Sequence, residues 1–129
     1  MKIVSDTNIF LAVVLDEPEK DRIIELTSGA DVISPEILPY EIGNALSAMV
    51  KRNRLTPEQA VSAQASAGLI PVRLVGVDIG QSLRIAMDFN LYAYDAYFLH
   101  CAKVLAHPLI TLDGRMKQVA AELKIEVLE

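Results

Sequence analysis

The chain has 129 residues, 52% hydrophobic and 22% charged, a composition that suits one packed domain and excludes a disordered chain. Its formal charge of −5, from 12 basic and 17 acidic side chains, is not the basic stripe with which many nucleic-acid binders hold phosphate. No apolar run approaches the roughly 18 residues of a membrane span, and the single Cys101 excludes an internal disulfide.

Lys2 to Ser5 reads as a strand that starts at the N-terminus and leaves no room for a signal peptide. With the lone cysteine this predicts a cytoplasmic protein. Asp6-Thr7-Asn8 then caps the apolar run Ile9 to Leu15, predicted as a helix. Pro18 to Thr27 sets Ile23, Ile24 and Leu26 among charges and predicts a second helix, ended at Ser28-Gly29. Asp31-Val32-Ile33 predicts a short strand. Ser34-Pro35-Glu36 predicts a helix start with Ser34 as cap and Pro35 in the first turn. Pro39 kinks or restarts that helix, which runs to about Asn53. Thr56-Pro57-Glu58-Gln59 fits a capping box opening a helix towards Ala67. Val72 to Val77 predicts a strand, and Asp78 to Phe89 a helix with Asp78 as cap. Tyr92 to Ala106 predicts a helix with Tyr94, Tyr97, Phe98, Cys101 and Leu105 at helical spacing, forming core or a dimer interface. Leu109 to Leu112 is a strand, Gly114 to Leu123 a helix and Ile125 to Leu128 a last strand. This alternation predicts an α/β fold with a mostly parallel sheet and helices on both faces.

Such a sheet gathers functional groups at the carboxyl ends of its strands. Asp6 and Asp113 directly follow strands, while Glu41 and Asp95 lie near the starts of nearly uncharged helices. Singly, Asp6 and Asp113 read as caps or turn residues and Asp95 as a first-turn acid favoured by the helix dipole. Glu41 among apolar neighbours is costlier to leave unpaired. Jointly, four carboxylates in one crevice repel and call for a hard cation with oxygen ligands, magnesium or manganese. These acids supply four of the five net negative charges, leaving −1 for the rest of the chain. A bound metal must therefore help attract any polyanionic substrate. Glu41 and Asn44 share a helix face, Gly43 between them permits close approach, and Thr111 points to the same strand face as Asp113.

Asp-Thr-Asn at 6–8, Glu-x-x-Asn at 41–44, Tyr-Asp-Ala at 94–96 and Thr-x-Asp at 111–113 resemble, in order and spacing, the motifs of PIN-domain nucleases. They are most similar to the VapC-like ribonuclease toxins of type II toxin–antitoxin pairs. The resemblance spans almost the whole chain. It implies a single domain over residues 1–129, a three-layer α/β/α fold and a parallel sheet of four or five strands. It implies cleavage of RNA phosphodiesters with one or two Mg²⁺ or Mn²⁺ ions, a homodimer, and an antitoxin partner that blocks the site. Asp6, Glu41, Asp95 and Asp113 match the family's metal-holding acids, and Asn8, Asn44 and Thr111 match supporting polar positions. Family members differ in whether the acid equivalent to Asp113 touches the metal.

Arg115 and Lys117 follow Asp113 and are the expected phosphate contacts, whereas Lys51, Arg52 and Arg54 read as ordinary cations near a helix C-terminus. His100 sits mid-helix and His107 precedes Pro108, a poor pair for metal-free acid–base cleavage. Two other functions compete. A receiver-like phospho-acceptor would want paired acids after the first strand and a lysine after the last, and here Asp6 stands alone. A non-catalytic interaction domain could hold metal for structure only.

Overall fold

In the computed structural model, which describes residues 1–129, the strand β1 (Lys2–Ser5) runs through the middle of the molecule. Ile3 and Val4 are both fully buried, and because successive side chains of a strand point to opposite faces they enter two different cores. Ile3 packs with Ile9, Ala12, Ile23 and Ile110. Val4 joins a larger cluster that includes Leu38, Phe98, Leu99, Leu109 and Met116. A sheet with apolar packing on both faces needs helices on both, and the chain supplies them between strands.

The elements after β1 are α1 (Thr7–Val14), α2 (Lys20–Thr27), β2 (Asp31–Pro35), α3 (Leu38–Lys51), α4 (Pro57–Gly68), β3 (Arg73–Val75), α5 (Ile79–Phe89), α6 (Ala93–Leu105), β4 (Leu109–Ile110) and α7 (Gly114–Glu122). They form the expected three-layer α/β/α fold. The sheet order is β3-β2-β1-β4 and every pairing is parallel, with Val4 opposite Ile33 on one side and Leu109 on the other. The strands thus step away from β1 in one direction, and β4 returns to its free side. Ligands of open α/β sheets bind outside the carboxyl ends at such a reversal. The order also differs from the 2-1-3-4-5 order of receiver domains.

Local signals account for most helix starts. Thr56 accepts from Gln59 N–H at 3.1 Å while Gln59 Oε1 accepts from Thr56 N–H at 2.9 Å, so both halves of the capping box form. Asp78 caps α5 by accepting from Gln81 N–H. Two expectations are corrected. Ser34 and Pro35 do not open a helix: they complete β2, where Ser34 is fully buried and donates to the Ser5 carbonyl at 2.6 Å. That bond to β1 outweighs a local cap, and the helix starts at Leu38 with Pro39 in its first turn. Ile125 to Leu128 forms no full strand but a single parallel bridge, Leu109 to Val127. Of the residues expected in core or a dimer interface, Phe98 and Cys101 are buried in the core, and Tyr92 and Tyr94 are exposed. No helix is long and apolar enough to cross a membrane.

Candidate active site

Asp6 leaves the end of β1 at the reversal between β1 and β4 and is the N-cap of α1. Its backbone N–H donates to the Ile110 carbonyl on β4 at 3.0 Å. Both side-chain oxygens are engaged. Oδ1 accepts from Thr7 N–H and Oδ2 from the Thr111 hydroxyl, each at 2.7 Å. The capping reading of Asp6 is therefore correct and incomplete, because the same carboxylate is also fastened to β4. Burial pushes its pKa up to about 6 from 3.8; the bonds from Thr111 and Thr7 pull it back, and the charges of Asp95 and Glu41 push it further up.

Three other acids arrive from three other elements. Glu41 lies in the first turn of α3, half-buried, and accepts the Thr7 hydroxyl at 2.7 Å. Burial raises its pKa, the Thr7 bond opposes this, and the Asp95 charge adds to it. Asp95 lies in the first turn of α6, raised by burial and then by the charge of Asp113. Asp113 caps α7, accepting from Met116 N–H at 2.8 Å. Asp6 thus feels Asp95 and Glu41, Glu41 feels Asp95, and Asp95 feels Asp113, so acids far apart in the chain are drawn together in pairs.

The supporting residues form a network around Asp6. The Thr111 oxygen accepts from Asp113 N–H at 3.0 Å while its proton goes to Asp6. Asn8 Oδ1 accepts from Leu112 N–H at 3.2 Å, and Asn8 Nδ2 approaches Thr111 Oγ1 at 3.5 Å. Asn44 is exposed on α3, on the same face as Glu41; Gly43 lies on the side turned towards α4. The sequence places Thr7 in a polar cap and in the Asp-Thr-Asn motif but does not itself show that its hydroxyl binds Glu41. A β-branched hydroxyl beside a candidate acid is the available signal.

The expected phosphate contacts are engaged elsewhere. Arg115 donates to the Phe89 carbonyl at 2.7 Å, and Lys117 pairs with Glu129 at 3.0 Å. The other ion pairs, Lys20–Asp16 and Arg22–Glu25, lie away from the acids. No lysine or arginine neutralises Asp6, Glu41, Asp95 or Asp113. Nor are the acids drawn up into a closed cage, since no three stand close enough to share one ion as they are arranged. The donor set fits a hard divalent cation in kind: anionic oxygens, partly desolvated and mutually repelling, with no competing positive charge. An ion there would have to draw the side chains inward.

The PIN-domain family profile matches residues 3–122, from the middle of β1 to the end of α7. The chain belongs to the PIN-domain family. PIN domains are generally nucleases, and they generally use divalent metal ions. No curated protein matches the sequence significantly. Among solved structures, this PIN domain is similar to PAE2754 from Pyrobaculum aerophilum, with a TM-score of 0.70 and 21% identity over 92% of this chain and 87% of that one. FitAcB from Neisseria gonorrhoeae matches with a TM-score of 0.67 and 15% identity, covering 98% of this chain and 96% of that one. VapBC2 from Rickettsia felis, bound to a DNA fragment from its promoter, matches with a TM-score of 0.64 and 15% identity over 100% and 98%. At these identities the likeness is one of fold.

Proposed function

We propose that this PIN domain is a metal-dependent endoribonuclease and acts as the VapC-like toxin of a toxin–antitoxin pair. One observation carries the reading: Asp6, Glu41 and Asp95, from three separate elements, raise one another's pKa in pairs, Asp113 acts on Asp95 in the same way, and no cation of the protein pairs with any of them. Structural proteins do not ordinarily keep such an arrangement, because each unpaired charge costs folding energy.

In this reading Asp6, Glu41, Asp95 and Asp113 would hold Mg²⁺ or Mn²⁺, as one or two ions. Bound metal would supply a water of lowered pKa and positive charge at the scissile phosphate. The chain's own residues do the rest. Thr111 and Thr7 N–H fix Asp6 in one orientation. Asn8 ties the Leu112 backbone, and with it the approach to Asp113, to the start of α1. Asn44, exposed three positions after Glu41 on the same helix face, leaves room for an RNA strand beside Glu41. Arg115 and Lys117 would reach phosphate only by leaving Phe89 and Glu129.

Resemblance to complexes described as VapBC2 and as a toxin–antitoxin complex from Klebsiella pneumoniae supports an antitoxin partner. A homodimer in the cytoplasm completes the proposal. The test is cleavage of labelled RNA with Mg²⁺ or Mn²⁺, against EDTA. Activity should vanish in EDTA and in Asp6→Asn and Asp95→Asn; undiminished cleavage in both variants would refute the assignment. Expression alone should arrest growth, and co-expression of the adjacent small gene product should relieve the arrest.

A further inference from the structure

The acids are not all held in the same way. Asp6 is braced through both oxygens and Asp113 is fixed by its capping bond, but Glu41 has three rotatable side-chain bonds and one hydrogen bond, from Thr7 Oγ1 at 2.7 Å. Thr7 is buried and sits at the first position of α1, and its backbone N–H is the donor to Asp6 Oδ1 at 2.7 Å. One residue therefore bonds to two acids, 35 positions apart in the chain, through two different atoms. Its single hydroxyl proton goes to Glu41, and no other donor in the protein reaches that carboxylate.

We propose that Thr7 is a positioning residue that sets Glu41 against Asp6 and so governs the affinity of the site for its divalent cation. This rests on the nuclease reading above and deepens it. A β-branched side chain suits the task, because few χ1 rotamers are open to it in a helix and the hydroxyl direction is largely set by the backbone of α1. The brace also spans elements: it ties the first turn of α3 to the end of β1, so Glu41 need not be ordered by the ion alone. Groups that orient a metal ligand from behind typically change metal affinity 10- to 100-fold when removed.

Thr7→Val keeps the shape and removes the donor, whereas Thr7→Ser keeps the donor. Mn²⁺ binding to the whole protein is measured by calorimetry, beside wild type, Asp95→Asn and Glu41→Ala. Thr7→Val should bind Mn²⁺ roughly tenfold more weakly, and Thr7→Ser should recover most of that loss. The half-saturating metal concentration for RNA cleavage should rise in step, with a smaller fall in kcat at saturating metal. In a Glu41→Ala background, Thr7→Val should add little, because the two act as one unit. Wild-type Mn²⁺ affinity in Thr7→Val, or a Thr7→Ser variant as weak as Thr7→Val, overturns the positioning role while leaving the nuclease reading intact. A wild-type protein that binds no Mn²⁺ overturns both. If Thr7→Val does not fold, Thr7→Ala, which is smaller than the native residue, carries the same measurement.

Discussion

The Thr111 hydroxyl donates to Asp6 Oδ2 at 2.7 Å, joining two residues 105 positions apart across the β1–β4 pairing. The same oxygen accepts from Asp113 N–H, so one buried hydroxyl serves the caps of both α1 and α7. Thr111→Val removes a donor from a buried carboxylate and an acceptor from a backbone N–H. Its expected cost is about 1–3 kcal/mol, read as a lower urea midpoint with an unchanged slope. Thr111→Ser should stay close to wild type. A Thr111→Val variant as stable as wild type would remove Thr111 from the network.

Stability without metal should depend on pH through Asp6. Its folded pKa of about 6 lies above the ordinary 3.8, so the folded state holds the proton more tightly than the unfolded chain. That contribution is present in full below the unfolded value and is lost as pH rises through about 6. Glu41 and Asp95 shift in the same direction. Asp6→Asn, which stays uncharged, should therefore stabilise the protein in EDTA at about pH 7.5 by roughly 1–3 kcal/mol, and the gain should shrink towards about pH 4. Melting curves across that range decide it; a gain that grows in acid contradicts the assignment.

Divalent cation should reverse the penalty. At ten times its dissociation constant, Mg²⁺ adds about 1.4 kcal/mol of stability if it binds the folded state alone. The rise in melting temperature should be larger at about pH 7.5 than at about pH 5, where protons compete for the carboxylates. Asp95→Asn should lose most of it. An equal rise in that variant would place the ion elsewhere.

Ala106 offers a test away from the site. It ends α6 in the left-handed region at φ 55° and is exposed. A side chain is strained there and glycine is not. Ala106→Gly should raise stability by about 1 kcal/mol, the left-handed penalty of a side chain, seen as a higher melting temperature with RNA cleavage unchanged. A fall would mean that the glycine's extra freedom in the unfolded chain outweighs the relief.

Ser34-Pro35-Glu36 and Thr56-Pro57-Glu58 carry the same local signature, and only the second is a helix start. Gln59 completes the capping box after Thr56, and every bond involved lies within four residues. After Ser34 the corresponding position is Ile37, and the serine hydroxyl instead binds a carbonyl 29 positions away. Where the deciding contact was local, as at Thr56 and Asp78, reading the chain was sufficient. Where a distant segment competed, it was not. The site divides in the same way. The placing of the four acids at helix caps and in first turns was legible, because those are local facts. The partners of Arg115 and Lys117, and the Thr7–Glu41 bond, were not legible, because each joins segments that meet only once the sheet is assembled.

The order of residues alone determined the alternation of strands and helices, the parallel sheet, and the positions of Asp6, Glu41, Asp95 and Asp113, because periodicity and capping act within a few residues. Tertiary structure decided that β4 pairs with the free side of β1, which brings the Thr111 hydroxyl to Asp6, and that two threonine hydroxyls brace the acids. Hydrogen-bond geometry is settled over tenths of an ångström, and only the packed chain fixes distances that finely.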